Sequence, residues 1–222
     1  MIIVHGVDST RADPEVGYLE LADALSKRGF SSLMFDLRGH GESVGEQVSG
    51  GLFEQRDLLG AFDFLVQRGA PPNRIGVLGV SLGGAVALLA AAKEPRLQAV
   101  VADSTCADLS DLIVAEAEKR TGLPKWLVPG MVQSAKLAYG IDIKQITPVE
   151  AIKQLPYPIL LIHGSSDERI VPSHAQSLEA AFTAPGTTLW IVPGAEHART
   201  FKSSSSEYTK RVVQYFDEQF SE

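Results

Sequence analysis

The chain has 222 residues, 45% of them hydrophobic and 21% charged, which fits one domain with a substantial core and excludes a disordered chain. A formal net charge of −7 excludes a general nucleic-acid binder, which needs a basic face to displace counterions. The single cysteine, Cys106, excludes an intrachain disulfide framework and fits a reducing compartment.

The amino terminus, MIIVHG, has no basic region and no cleavage site, so it does not read as a secretory signal. The longest apolar stretch, residues 83–92, is about half the ~20 residues that a membrane-spanning helix needs. A cytoplasmic protein with no membrane span is the expectation.

Taken in order, residues 2–6 (IIVHG) read as a buried strand ended by glycine. Residues 15–29 set Val16, Leu19, Ala22 and Leu25 at helical spacing. SSLMFDLRG reads as a second strand ending near Asp36. Residues 52–68 form a helix with Phe53, Leu58, Phe62 and Leu65 on one face, stopped by APPN. RIGVLGV is a strand feeding the helix that opens after Ser81, and LQAVVADS is the next strand. The rhythm then breaks: residues 105–152 show no strand pattern and are helical over 109–120 and 126–139. YPILLIHG resumes the strands, 174–182 is a helix, and TTLWIVPG is the last strand. Residues 207–220 close the chain as a helix, with Tyr208, Val212, Tyr215 or Phe216, and Phe220 on one face.

Short β-branched runs alternating with helices predict a three-layer α/β fold around a mostly parallel sheet of about six strands. Residues 1–222 are expected to form a single domain. Residues 105–152 are expected to be a small helical cap inserted over the carboxyl edge of the sheet, where open α/β folds bind ligands.

Gly79-Val80-Ser81-Leu82-Gly83 matches G-x-S-x-G between a strand and a helix, the context of a nucleophile elbow. So tight a turn strains the serine backbone and requires neighbours without side chains two residues away. The plainer alternative is a helix cap. A serine hydroxyl is a poor nucleophile, so it needs a base, and the base needs an orienting carboxylate, here in the order serine, acid, histidine. His5, His40 and His163 sit in HG pairs at strand ends or turns, and His174 reads as an exposed residue at a helix start. His197, in PGAEHA between the last strand and the last helix, is placed to reach Ser81. Asp167, in HGSSDERIVP beyond the fifth strand, is the expected acid. Glu168 beside it points elsewhere, and Asp103, one strand earlier, is the rival. The oxyanion donors are expected to be the backbone N–H groups of Leu82, opening the helix after the nucleophile, and Val7, after the first strand, with Asp8 second to Val7.

With these residues in place, the chain resembles the α/β-hydrolase superfamily over nearly its whole length. The landmarks are HG at 5–6, DLRGHGES at 36–43, GVSLGG at 79–84, HGSSDERIVP at 163–172 and GAEH at 194–197. DLRGHGES is common in the monoacylglycerol-lipase-like and serine-aminopeptidase-like branches, and its arginine and glycines are assigned to a structural turn. Members usually carry two further strands before the HG strand, and here only Met1 precedes it. SSLMFDL would then be a sheet edge with unpaired backbone groups. A minimal or truncated hydrolase is preferred over one that pairs this edge with a second chain, and monomer and homodimer both stay open.

A serine in place of an aspartate disfavours dehalogenase and epoxide-hydrolase chemistry, and in place of a cysteine, dienelactone-hydrolase chemistry. The resemblance then implies a carboxylesterase-type serine hydrolase acting on a small-molecule ester, short- to medium-chain in its acyl group, through an acyl-serine. A cap carrying Trp126, Leu127, Val128, Met131, Leu137 and Tyr139 could wall an acyl pocket, though packing onto the domain explains most of them as well. A peptidase or amidase of the same fold is the alternative, and a non-catalytic ligand-binding homologue the alternative from another class. No basic cluster suits a phosphate or coenzyme A and the histidines lack paired spacing, so neither cofactor nor metal is expected.

Overall fold

In the computed structural model, which describes residues 1–45, 47–110, 112–113, 122, 125–182 and 186–221, the β-branched runs pair into one sheet. Its strands are β1 (Ile2–Val4), β2 (Leu33–Met34), β3 (Val77–Val80), β4 (Val100–Asp103), β5 (Leu160–Gly164) and β6 (Thr188–Val192). Their spatial order is β2-β1-β3-β4-β5-β6, and every neighbouring pair is parallel. Parallel neighbours need crossovers, which the helices supply. These are α1 (Tyr18–Ser26), α2 (Glu54–Gln67), α3 (Leu82–Ala91), α4 (Val128–Tyr139), α5 (Pro148–Ile152), α6 (Ser173–Ala181), α7 (Thr200–Ser203) and α8 (Ser205–Phe220).

Alternate residues of each strand enter opposite faces of the sheet. Ile2, Val4, Val77, Val100 and Leu161 pack with Leu58 and Phe62 of α2 and Val86 and Leu88 of α3. Ile3, Leu78, Val101, Leu160 and Ile162 pack on the other side with Tyr18, Leu21 and Leu25 of α1 and Tyr208, Val212 and Phe216 of α8. The α3 helix is buried at every residue from Gly83 to Ala91, as an all-round apolar helix must be.

Several boundaries differ from the sequence expectation, for local reasons. The first helix starts at Tyr18 because Gly17 turns left-handed, at φ 88°. The second strand stops pairing at Met34, short of Asp36. The Leu37 N–H donates to His5 Nε2 at 2.9 Å, and the Asp36 carboxylate accepts the Arg11 and Glu42 N–H groups at 2.8 and 3.1 Å. This two-residue strand is the sheet edge, as expected, and is half-buried. The helix expected over 109–120 lies for the most part outside the described residues. A 3-10 turn at Lys125–Leu127 leads into α4, and the α5 and α7 helices have no counterpart in the sequence reading. Among the described residues, no helix is long and apolar enough to cross a membrane.

The α3 helix packs on the sheet through a close main-chain approach. A Cβ on Gly83 would overlap the carbonyl oxygen of Val4 and lie 2.8 Å from that of His5, and one on Gly79 would overlap the Gly83 carbonyl. Backbone cannot step aside as a flexible side chain can. Gly83→Ala is therefore expected to destabilise the protein by at least about 1–3 kcal/mol in urea denaturation. Gly60→Ala, in α2 with nothing within 4 Å of the added methyl, should stabilise it by about 0.5–1 kcal/mol.

Candidate active site

Ser81 stands between β3 and α3 at φ 56°, ψ −117°, a conformation that a residue with a Cβ rarely adopts. Its N–H donates to the Asp103 carbonyl at 2.8 Å, which locks the turn to β4. Three more non-glycine residues among those described have positive φ: Asp8, Ser104 and Ala198, at 57°, 51° and 57°. They sit beside Val7, Asp103 and His197 respectively, so the backbone strain collects around one point.

The structure brings Ser81, His197 and Asp167 together. Ser81 Oγ lies 2.9 Å from His197 Nε2, and His197 Nδ1 lies 2.8 Å from Asp167 Oδ2. With its Nδ1–H donated to the carboxylate, the imidazole presents the Nε2 lone pair to the serine hydroxyl. Glu168, next to Asp167, is exposed.

Every acceptor position of Asp167 is used. Oδ1 accepts the N–H groups of Arg169 and Ile170 at 3.0 and 2.8 Å, and Oδ2 faces both His197 and His163, whose Nε2 is 3.3 Å away. Burial would push this carboxyl up. The hydrogen bonds from His163, His197 and the Ile170 amide outweigh it and hold the group well below the usual carboxylate range. His163 is fully buried, and its Nε2–H also reaches the Ile170 carbonyl at 2.7 Å. Sequence reasoning gave it only a structural strand-end role; its spacing four residues before Asp167 was the available signal. His5 and His40 hydrogen-bond to main chain, at Gly6 and Arg38 carbonyls. His174 corrects the expectation of an exposed residue: it is half-buried, and its Nδ1 accepts the Ala107 N–H at 3.3 Å.

The other predicted acid, Asp103, is elsewhere engaged. Its carboxylate is buried and accepts the hydroxyls of Ser104, Thr200 and Tyr208.

A cavity of about 150 Å³ opens at Ser81, lined by Gly6, Val7, Tyr18, Arg169 and His197 among others. A Cβ on Gly6 would lie 3.1 Å from Ser81 Cβ and 3.6 Å from its Oγ, so the Gly6-Val7 backbone runs alongside the hydroxyl. The Gly6 N–H donates to the buried Tyr18 hydroxyl at 3.3 Å, which pins this loop. Leu82 is the first residue of α3, where amides have no intrahelical partner. Trp126, Leu137 and Tyr139 are 75%, 79% and 58% exposed and do not line this cavity. Leu127 is half-buried, and the side chains of Val128 and Met131 lie outside the described residues.

The sequence profile of the prolyl oligopeptidase family (Peptidase S9) matches residues 18–222. The chain belongs to the prolyl oligopeptidase family. This family member is 29% identical to the uncharacterized protein YqkD of Bacillus subtilis over 98% of its length, and 28% identical to the alpha/beta hydrolase domain-containing protein WAV2 of Arabidopsis thaliana over 87%. It spans 70% of YqkD and 62% of WAV2. The Pyrococcus furiosus esterase Pf2001 superposes with a TM-score of 0.78 at 27% identity, over 98% of this chain and 81% of that one. A monoacylglycerol lipase of Paleococcus ferrophilus shares the fold, with a TM-score of 0.70 at 20% identity over 98% and 93% of the two chains. The protein is thus an α/β-hydrolase-fold enzyme of the hydrolase class.

The charge state of Asp167 yields a prediction about stability. Its carboxyl titrates lower in the folded chain than in the unfolded one, near 3.9. The stabilisation it gives is therefore fully present above about pH 4 and fades as pH falls toward the folded value. Asp167→Asn should destabilise the protein by about 1–3 kcal/mol at pH 7. In urea denaturation across pH 7 to 3, the gap between wild type and variant should narrow below about pH 4.

Proposed function

We propose that this family member is a carboxylesterase-type serine hydrolase that cleaves small-molecule esters, short- to medium-chain in the acyl group. The observation that carries this reading is the unbroken hydrogen-bonded line from Ser81 through His197 to Asp167, beside a cavity at the hydroxyl. His197 Nε2 takes the Ser81 proton as Oγ adds to the ester carbonyl. The Val7 and Leu82 amides hold the oxyanion, and each is worth about 2.7–4 kcal/mol of transition-state stabilisation. Collapse expels the alcohol, protonated by His197, and leaves an acyl-Ser81. Water, deprotonated by the same imidazole, releases the acid and restores the serine. Asp167 keeps the imidazole in its productive tautomer throughout.

The small cavity favours short acyl groups, and the structurally similar Pyrococcus protein is an esterase. In this reading residues 1–222 act as one domain, with residues 105–152 as a cap over the site, in a cytoplasmic protein, monomer or homodimer, that uses no cofactor. The family's name favours a second reading, a peptidase or amidase with the same acyl-serine chemistry.

Turnover of p-nitrophenyl acetate and butyrate set against aminoacyl-p-nitroanilides separates the two. Ser81→Ala is expected to stay folded, lose fluorophosphonate labelling and lower ester turnover by roughly 10⁴–10⁶-fold. Unchanged turnover removes Ser81 from the mechanism. Asp167→Asn should lower kcat by about 10⁴-fold, and Asp103→Asn should cost about a hundredfold less. The opposite ranking transfers the acid's role to Asp103.

A further inference from the structure

His197 rides on residues 193–199, between β6 and α7, so its reach to Ser81 depends on what ties that loop down. One side is tied to the loop that carries Asp167. The Ser166 N–H donates to the Ala195 carbonyl at 3.0 Å, and the Gly194 N–H donates to Ser165 Oγ at 2.8 Å. The other side is tied to the end of β4. The Ala198 N–H donates to Ser104 Oγ at 3.3 Å, and the Ser104 hydroxyl donates to Asp103 Oδ1 at 2.9 Å. Just past the loop, the Thr200 hydroxyl donates to Asp103 Oδ2, which also accepts the Tyr208 hydroxyl at 3.0 Å.

We infer that Asp103, with Ser104 as its relay, is a positioning residue that sets the distance between the serine and the histidine of the site. Its main-chain carbonyl grips the Ser81 turn at 2.8 Å, while its side chain holds the chain just after His197, at Thr200 directly and at Ala198 through the Ser104 hydroxyl. One residue thereby registers two segments that are more than a hundred positions apart in sequence. The inference rests on the reading of Ser81 as nucleophile and His197 as base.

The chemistry of the group fits this role better than simple packing. Asp103 is 1% exposed, and its carboxylate is held by three hydroxyls rather than by a cation. Burying a carboxylate this way is costly, and an apolar residue would fill the space more cheaply. Burial does push the Asp103 carboxyl up, and the hydroxyls of Thr200, Ser104 and Tyr208 offset part of that. What an apolar residue cannot offer is acceptors for three converging donors. The left-handed backbone of Ser104 and Ala198 aims the relay hydroxyl and the amide at each other.

The test uses Thr200→Val, which removes the donor at nearly constant shape, and Thr200→Ser, which keeps it. Tyr215→Phe is the control. Its hydroxyl bonds the Val100 amide and the Pro158 carbonyl at the opposite end of β4, so its loss should cost stability away from the site. Each variant is measured for urea stability, fluorophosphonate labelling, and kcat and KM on p-nitrophenyl butyrate. Thr200→Val is expected to lower kcat about tenfold with KM unchanged, and Thr200→Ser to restore it to within about twofold. Ser104→Ala, a milder arm should Thr200→Val not fold, is expected to lower kcat in the same sense. Tyr215→Phe is expected to lose stability with kcat unchanged. A Thr200→Val or Ser104→Ala enzyme with wild-type kcat overturns the positioning role while leaving the esterase reading standing. So does a kcat that falls in Tyr215→Phe as much as in Thr200→Val. A wild-type protein that neither labels nor turns over ester overturns the reading of Ser81, and the positioning role with it.

Discussion

The close approach of main chain at the Ser81 turn is the constraint on which the rest of the site depends. Gly79 and Gly83 leave no room for a Cβ between β3, α3 and the Val4 carbonyl at the end of β1. Because α3 sits so near the sheet, its first residue, Leu82, begins directly behind the hydroxyl, and the Gly6-Val7 backbone after β1 runs directly beside it. The same approach forces Ser81 into positive φ, a strain of order 1–3 kcal/mol that only an over-determined surrounding can hold. That surrounding is visible: the Ser81 amide is bonded to β4, and the apolar α3 is buried on every side. Hydroxyl, helix end and the Gly6 backbone are thus brought close by one packing decision rather than by separate ones.

The parts legible in sequence were those with a local signature. The strand–turn–helix context of Ser81 follows from a β-branched run, two glycines and an alanine-rich run in succession. The alternation of such runs gave the parallel sheet and its six strands. Asp167 and His197 could be placed because each lies in the turn that follows a recognisable strand, in the order the elbow requires. Asp103 stayed a rival because it occupies the same kind of position, after β4, and nothing local distinguishes a carboxylate facing an imidazole from one facing three hydroxyls.

What stayed hidden was written in side-chain contacts, most of them between distant segments. His163 looked like a strand-end residue, yet Asp167 bends back to within 3.3 Å of it. His174 looked exposed because its helix start is polar, yet it receives the Ala107 amide from 67 positions away. The second strand stops early because His5, just after β1, takes the Leu37 amide that would otherwise extend the ladder. In the last two cases an imidazole satisfies a buried backbone amide across the fold, and no periodicity records such a partnership. The short α5 and α7 helices, of five and four residues, are likewise too brief for a periodic pattern to declare itself.

The two buried carboxylates show how one sheet edge separates two tasks. Both lie at carboxyl ends of neighbouring strands, and both are almost completely removed from solvent. Around Asp167 stand two imidazoles and two backbone amides, which favour the ionised form and hold its pKa down. Around Asp103 the hydrogen-bond partners are three hydroxyls, and burial prevails over them and over the weaker influence of His163, so its pKa goes up. An acid that must support a developing imidazolium needs a firmly held negative charge, which only the first environment provides. A tether needs acceptors aimed at fixed donors more than it needs charge, and the second environment provides those. The proposal that the acid lies in the loop after β5 therefore rests on the company each carboxylate keeps, not on its distance along the chain.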